Sequence, residues 1–246
     1  MPEWTEEYFE RGYAQRWGLR APTDQVRLEA GGLWDLLGLT AASRVIDVGC
    51  GHGRHALALA ERRADVVGVD SAVALLARAR DLSTELRIPV RWIRGDMRRL
   101  PLRSACAGAA ILMDAFGFFD TEEEHDAVLR EAARVLASGG RLALKVVNGG
   151  FVIADFRDSA REERDGVVVA ISNTLTLTPP LLTQRISVSG SRGRGEYERR
   201  QRLYRAEELR RALTRAGFDV VGVFASADGT AFEPDASPTI WMIGQR

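Results

Sequence analysis

The stretch VIDVGCGHGRHALALA, residues 45–60, joins a short apolar run, an acidic residue, three alternating glycines and a second apolar run. The first run is typical of a buried strand, and the second has the spacing of a helix. Glycines at such a junction let a ligand approach the backbone closely, because no Cβ stands in the way. The stretch therefore predicts a ligand-binding turn between a strand and a helix.

Two frames of this loop favour different ligands. From Gly51 to Ala56 it reads G-H-G-R-H-A, which fits the G-x-G-x-x-A fingerprint of dinucleotide-binding folds. A nucleoside triphosphate loop is excluded, because no Gly-Lys-Ser/Thr follows. From Asp47 the loop reads D-V-G-C-G-H-G, which resembles the first motif of class I S-adenosylmethionine (SAM)-dependent methyltransferases. A pyrophosphate prefers a bare helix N-terminus, whereas the amino acid and ribose of SAM suit an acidic residue at the strand end.

Two later motifs bear on whether the ligand is a dinucleotide or SAM. Asp70 ends the second predicted strand, where its carboxylate fits the ribose hydroxyls of either NAD or SAM. Gly95-Asp96-Met97 follows the third strand, and dinucleotide folds do not predict this triplet. The methyltransferase resemblance implies that Asp96 meets the adenine amino group and that Met97 packs on the ring. We therefore expect SAM as cofactor and S-adenosylhomocysteine as product. Three glycines and two acidic strand ends also exceed what a turn alone requires.

Two helices are predicted at 3–18 and 24–38, and strand and helix patterns then alternate from residue 44 to residue 147 of the 246, which predicts an α/β fold with a doubly wound parallel sheet. The predicted strands are 44–48, 65–70, 90–94, 108–113 and 141–147, and the helices between them are 54–63, 72–86 and 122–137. After residue 148 the pattern changes: 166–203 predicts an antiparallel hairpin or three-stranded patch, followed by a helix at 206–216 and strands at 218–225 and 239–245. The resemblance implies a seven-stranded Rossmann-like methyltransferase sheet with its last strand antiparallel, plus an antiparallel β insert after strand five. We expect four segments: a helical lid (1–40), a SAM-binding core (41–150), the insert as substrate roof (151–203), and a helix with two strands that complete the sheet (204–246).

The chain also resembles small-molecule methyltransferases such as glycine N-methyltransferase and the amino-sugar N,N-dimethyltransferases. This resemblance rests on GRHALALA, GDMRRLP, FGFFDTEEEH, RLYRAEELRRALTRAGF and DGTAFEPD. It implies that the N-terminal helix folds over SAM, with Tyr13 and Trp17 in the lid and Arg20 at the SAM carboxylate; core packing is the alternative for the aromatic residues. The expected cofactor-binding set is Tyr13, Arg20, Asp47, Gly49, Cys50, Gly51, Gly53, Asp70, Ser71, Gly95, Asp96, Met97 and Met113.

The end of strand four reads Met113-Asp114-Ala115-Phe116 and lacks the Asn/Asp-Pro-Pro-aromatic signature of nucleic acid base methyltransferases. Relatives in this group carry a small hydroxyl residue near Asp114 and an acidic residue near Lys145, and this chain replaces both. Because strands four and five are neighbours in such sheets, Asp114 and Lys145 are expected to pair beside the cleft. The pair either serves catalysis, by orienting or deprotonating the acceptor, or is a structural ion pair. Trp17, Phe116 and Asn148 are the expected substrate contacts, with a loop-capping role as the alternative for Asn148.

The composition limits the remaining classes. The net charge is zero, which argues against nucleic acid as a partner. Two cysteines and a charged, aromatic N-terminus fit a cytoplasmic protein without a secretory signal or membrane span. His52, His55 and His125 have no metal-ligand spacing, so no metal is expected. We expect a monomer or homodimer that methylates a nitrogen or oxygen atom of a small molecule, with natural-product biosynthesis as a suggested setting. A tRNA-modifying methyltransferase, an NAD-dependent dehydrogenase and a SAM-binding protein without methyl transfer stay open.

Overall fold

The computed structural model describes residues 3–105 and 107–246, so Cys106 and the first two residues of the expected lid lie outside the described part. A seven-stranded sheet forms the centre, in the order β10-β11-β5-β4-β1-β2-β3. Strands β1 to β5 run parallel, and β11 is antiparallel to both of its neighbours. The predicted fold class is confirmed. The strands are Arg44–Val48 (β1), Asp65–Asp70 (β2), Arg91–Arg94 (β3), Ala107–Met113 (β4), Leu136–Val147 (β5), Asp219–Phe224 (β10) and Thr239–Gln245 (β11).

Helices cover both faces of this sheet, as right-handed crossovers between parallel strands require. Apolar side chains of the sheet pack in one buried cluster with α6 and α8, and in a second with α3 and α4. The helices are Asp24–Leu36 (α3), Arg54–Glu61 (α4), Val73–Leu86 (α5), Glu122–Val135 (α6), Gly149–Ala154 (α7) and Ala206–Arg215 (α8). No helix of the described residues is long and apolar enough to cross a membrane.

The insert between β5 and α8 is a four-stranded antiparallel sheet, one strand more than the largest predicted patch. Its strands are Ser159–Arg164 (β6), Val167–Leu177 (β7), Pro180–Gly190 (β8) and Gly193–Arg202 (β9). The additional strand is β6, with the sequence SAREER, and all six of its residues are exposed. An edge strand with no buried face shows no alternation of apolar and polar residues, so the sequence pattern could not reveal it.

The boundary between α6 and β5 also differs from the prediction. The helix ends at Val135 rather than at residue 137, and β5 begins at Leu136 rather than at residue 141. Leu136 pairs with Ala107 of β4, and the register of the two strands then shifts. The Ser138-Gly139-Gly140 stretch is therefore an irregularity within an early strand rather than the stop of the helix.

The N-terminal helical segment, residues 3–17, consists of Glu3–Glu7 (α1), a π-helical turn Tyr8–Gly12, and Tyr13–Trp17 (α2). It packs on the insert, where Tyr8 is 2% exposed and its ring meets that of Tyr197 on β9. A Cβ at Gly12 would lie 2.7 Å from the Tyr197 ring, so the close approach requires glycine. The next helix, α3, packs on the core instead.

Candidate active site

A cavity of about 510 Å³ opens at the carboxyl ends of β1, β2 and β4. This end of a parallel sheet is where open α/β folds bind ligands. The N-terminal helical segment and the insert cover the cavity from above. The lining residues include Arg16, Asp47, Gly49, Gly51, His52, His55, Asp70, Met97, Asp114, Gln184, Arg199 and Gln201.

The glycine loop forms the floor of this cavity. Gly49 and Cys50 both donate backbone N–H groups to the carbonyl oxygen of Val69, at 2.8 and 3.1 Å. Gly49 has a φ of +69°, and a Cβ there would lie 2.5 Å from Cβ of Ala115. The loop is therefore held against the ends of β2 and β4 by contacts that only glycine permits.

Two carboxylates face the cavity from the ends of β1 and β2, with Asp47 buried and Asp70 partly buried. Asp70 accepts the backbone N–H of Gly51 at 2.7 Å and that of Ala72 at 2.8 Å, which fixes the orientation of its carboxylate. Asp47 is 2% exposed, and no lysine or arginine among the described residues lies within salt-bridge distance of it. Burial, and next the charge of Asp70, raise the pKa of Asp47 to about 7.

These carboxylates fit the chemistry of SAM. A buried acid without a cationic partner is costly when ionised, and the ammonium group of the methionine part of SAM would supply that partner at Asp47. The fixed carboxylate of Asp70 suits a pair of ribose hydroxyls. The residues present therefore match a cofactor that carries both groups, and a dinucleotide offers no ammonium group for Asp47.

The structure brings most of the expected cofactor-binding residues to the cavity. Tyr13, Asp47, Gly49, Cys50, Gly51, Asp70, Ser71, Met97 and Met113 all line it. Gly53 does not; it precedes α4 at a φ of +81°, and a Cβ there would strike the Trp92 ring. Its conformation shapes the turn rather than contacting the cavity.

Three other expected cofactor residues lie outside the cavity lining, and each has a physical reason. Arg20 forms an ion pair of 2.7 Å with Asp165 at the exposed surface, so it does not reach the site expected for the SAM carboxylate. Asp96 binds Arg98 instead, through the side-chain Nε and Nη2 and the backbone N–H of that arginine. Gly95 packs closely on Pro101, because a Cβ there would lie 2.7 Å from its Cδ.

Two of the three expected substrate contacts lie outside the cavity lining and have other partners. Phe116 is 1% exposed and its ring packs against those of His125 and Tyr204 in the core. Asn148 is a cap: its Oδ1 accepts the backbone N–H of Gly150, and its Nδ2 donates to the carbonyl oxygens of Pro234 and Ser237. Trp17, the third, does line the cavity.

The pairing expected between Asp114 and Lys145 is present. Nζ of Lys145 lies 3.0 Å from Oδ2 of Asp114, and the backbone N–H of Asp114 donates to the carbonyl oxygen of Lys145. Asp114 lines the cavity with a side chain that is 43% exposed, whereas Lys145 is 14% exposed and lies behind it. Asp114 has a φ of +58°, an uncommon conformation for a residue other than glycine and one that is frequent at functional sites.

The Asp114–Lys145 pair belongs to a larger network with Glu29 and His55, which the sequence did not predict. Glu29 of α3 lies 3.6 Å from Nζ of Lys145 and 2.8 Å from Nε2 of His55, which lines the cavity. Burial alone would raise the pKa of Glu29, but the His55 hydrogen bond and the Lys145 charge outweigh it and lower the pKa to about 2. Glu29 is thus ionised at neutral pH and links two walls of the cavity.

His52 of the glycine loop lies at the cavity as a neutral imidazole. It is 3% exposed, and its Nε2 is buried without a hydrogen-bond partner among the described residues. Burial, and then the charges of Arg54 and Arg78, lower the pKa of His52 to about 3.

The roof adds side chains that the sequence analysis missed. Arg199, Gln201 and Gln184 come from β8 and β9, and Arg16 comes from α2. A signal was present on β9, because Tyr197, Arg199 and Gln201 are spaced two residues apart and therefore share one face of the strand. The same stretch is also rich in arginine and glutamate, a composition that is typical of a solvated face.

Comparison with known proteins agrees with this geometry. Residues 45–140 match the model of the methyltransferase domain family. A putative methyltransferase of Geobacillus sp. (strain WCH70) is 26% identical over 216 residues, which are 85% of this chain and 87% of that protein. The CcbJ methyltransferase from Streptomyces caelestis superposes with a TM-score of 0.82, at 20% identity and 96% coverage of both chains.

A third similar structure, CalS10 from Micromonospora echinaspora, is described as an amino pentose methyltransferase involved in calicheamicin biosynthesis and was solved with SAM bound. It gives a TM-score of 0.66 at 24% identity, covering 96% of this chain and 95% of CalS10. The fold, the glycine loop with its two carboxylates, and the matched domain agree. Residues 45–140 therefore form a methyltransferase domain within a class I methyltransferase fold, and its cofactor is SAM.

Proposed function

We propose that the protein transfers the methyl group of SAM to a nitrogen or oxygen atom of a small molecule, and that Asp114 orients or deprotonates that atom. The observation that carries the proposal is the position of Asp114, an ionisable side chain in a left-handed backbone conformation at the end of β4, facing the covered cavity. The likeness to CalS10 supports natural-product biosynthesis as the setting.

The four segments have distinct roles in this proposal. The N-terminal helical segment acts as a lid, with its Glu10 carboxylate accepting the backbone N–H groups of Val73 and Ala74, at 2.6 and 2.9 Å, at the start of α5. The insert of residues 151–203 roofs the acceptor. Residues 41–150 and 204–246 form the core, to which α3 also contributes, so the lid is shorter than residues 1–40. A covered cavity excludes water and favours small acceptors over a macromolecular surface.

Bound SAM supplies a methyl group on a sulfonium, and the sulfur keeps the bonding electron pair when the methyl leaves. The chain's contribution is to align the acceptor with this methyl group, which can supply effective molarities of about 10⁵–10⁸ M. The acceptor atom forms the new bond to carbon and loses a proton. Asp114 is placed to accept that proton or to hold the N–H or O–H group beforehand, while Lys145 holds the Asp114 carboxylate from behind.

The first test is calorimetry with SAM, S-adenosylhomocysteine and NAD. We expect binding of the first two and none of NAD; the reverse preference would refute the assignment. The second test first screens amines and phenols for an acceptor that causes release of S-adenosylhomocysteine from SAM. It then compares Asp114→Asn with the wild type in single-turnover methyl transfer to that acceptor. Asparagine tolerates the left-handed conformation, so the backbone should stay in place.

For an acceptor that must lose its proton, we expect Asp114→Asn to slow transfer by about 10²–10⁴-fold with unchanged SAM affinity. The matched control is Asp120→Asn, an exposed residue on the same loop, which should keep the wild-type rate. A folded Asp114→Asn variant that transfers methyl at the wild-type rate would remove Asp114 from the mechanism.

A further inference from the structure

One arginine in the roof of the cavity carries positive charge without a carboxylate of the described residues in salt-bridge contact. Arg199 of β9 lines the cavity and forms no salt bridge with any carboxylate of the described chain. Its Nη1 donates to Oε1 of Gln184 at 2.5 Å and its Nη2 to Oε1 of Gln201 at 2.6 Å. Both partners are neutral amides, so they position the guanidinium but do not neutralise it.

The guanidinium of Arg199 also contacts an aromatic ring and retains free N–H donors within the described chain. Its guanidinium carbon lies 4.9 Å from the centre of the Phe118 ring, which covers one face of the group. A guanidinium has five N–H donors in a fixed fork, and the two glutamines account for two of them. Burial also lowers the pKa of Arg199, and the charge of the Asp114 carboxylate across the cavity offsets this effect only in part.

Arg16 is a second arginine of the roof, and it has a buried hydrogen-bond donor without a partner in the described part of the chain. Arg16 lines the cavity with a side chain that is 8% exposed, and its Nε is buried with no hydrogen-bond partner among the described residues. Its Nη2 lies 3.3 Å from Glu162, which is half-exposed at the edge of the insert. One buried donor is thus left open at the roof.

Charge is divided along the cavity. The floor holds the carboxylates of Asp47 and Asp70, which suit the cationic and hydroxyl groups of SAM. The roof holds Arg16 and Arg199, and Asp114 lies on the wall at the end of β4. An acceptor that faces Asp114 with its N–H or O–H group can place an anionic group at the roof.

We propose that the acceptor carries a carboxylate and that Arg199 binds it, with Arg16 adding to the positive field. This inference rests on the proposed function and adds the acceptor's chemical class. Arg199 would make a forked, charge-assisted contact, for which arginine geometry is suited. Arg199 is thereby a specificity-determining residue: it recognises the part of the acceptor that does not react.

The test uses calorimetry on the full chain saturated with S-adenosylhomocysteine. The probes are acetate, benzoate, 4-aminobenzoate and N-acetylglycine, each paired with its primary amide, which has a similar shape but no charge. We expect the wild type to prefer at least one acid over its amide by about 10- to 100-fold, the range of a hydrogen bond to a charged group. In Arg199→Gln that preference should disappear.

Arg200→Gln is the matched control, because Arg200 is the next residue on β9, is exposed and pairs with Glu198. It should keep the wild-type preference. Arg199→Lys retains the charge without the fork and should keep a reduced preference, which gives a second measurement if Arg199→Gln does not fold. Circular dichroism checks the fold of each variant.

Three results would overturn the inference. The first is a wild type without acid preference, whether it binds neither series or both alike. The second is an undiminished preference in Arg199→Gln. The third is a loss of S-adenosylhomocysteine affinity in Arg199→Gln, since that would place Arg199 at the carboxylate of the cofactor. If the wild type fails to bind S-adenosylhomocysteine at all, the proposed function itself fails, and that binding is measured before any acid is added.

Discussion

The buried carboxylate of Asp47 predicts that SAM binding depends on pH. In the free protein, burial and the nearby charge of Asp70 raise the pKa of Asp47 to about 7 from its ordinary value of 3.8. If Asp47 holds the SAM ammonium group, the complex requires the ionised form, and the pKa of Asp47 falls on binding. Affinity should therefore rise with pH until Asp47 is ionised in the free protein.

The size of this effect follows from the fraction of free protein that is ionised. With a pKa of about 7, that fraction is about one half at pH 7 and about one in a hundred at pH 5. Affinity for SAM should then fall by about 50-fold from pH 7 to pH 5, equivalent to about 2.3 kcal/mol. The α-amino group of SAM has an ordinary pKa of about 7.7–8.0 and stays mostly protonated in this range.

Isothermal titration calorimetry at pH 5, 6 and 7 measures the slope directly. Repeating pH 6 in two buffers with different ionisation enthalpies counts the protons, and we expect about one released per SAM bound at this pH. Asp47→Asn should bind weakly with a flat profile. Asp65→Asn is the control, because Asp65 pairs with Arg44 and Arg91 at the far end of β2, and it should keep the wild-type slope. A flat wild-type profile, or an unchanged slope in Asp47→Asn, would refute the reasoning.

Three further predictions concern stability, the glycine loop and the lid. Without cofactor, folded Asp47 binds more protons than unfolded Asp47 between about pH 4 and 7. As pH rises through this range, the free energy of unfolding of the wild type should therefore fall relative to that of Asp47→Asn, by up to about 4 kcal/mol in urea unfolding. Parallel pH curves for the two proteins would contradict this. Gly49→Ala should abolish SAM binding in calorimetry because its Cβ has no room, whereas Gly139→Ala, also at positive φ but in open space, should bind normally; equal binding by both would contradict the steric argument. Glu10→Ala should release the lid and speed proteolysis of the N-terminal helical segment by about tenfold, given the loss of two hydrogen bonds to a charged group; the exposed Glu6→Ala is the control, and equal cleavage rates would exclude the latch.

The floor of the site was predictable from sequence because strand ends carry it. A parallel sheet places the carboxyl ends of neighbouring strands at one edge, so Asp47, Asp70 and Asp114 could be expected together from their positions alone. The pairing of Asp114 with Lys145 followed from the same rule, since β4 and β5 are neighbours. Backbone topology decides these positions, and side-chain rotamers have little influence on them.

The roof was predictable only in outline. Arg16 lies in α2, and Arg20 follows four residues later, beyond the end of that helix. The chain leaves the helix at Gly18, with φ of +64°, so only Arg16 lines the cavity. Asp96 was expected at a ligand, but Arg98 two residues later binds it. Such outcomes depend on where a chain turns and on which partner is nearest, and a motif contains neither kind of information.

The ion-pair network behind Asp114 explains how its carboxylate can still interact with an acceptor although Lys145 lies beside it. Lys145 also faces Glu29, at 3.6 Å, and its Nζ lies 5.2 Å from the centre of the Trp241 ring, so its single charge serves two carboxylates. Glu29 stays ionised because His55 also binds it. Asp114 is therefore held in place without being fully neutralised, and its half-exposed side chain keeps capacity to accept a proton or hydrogen bond from the cavity side. An isolated Asp114–Lys145 pair would be equally well explained as structure; the second carboxylate on Lys145, that of Glu29, is what favours a role for Asp114 toward the acceptor.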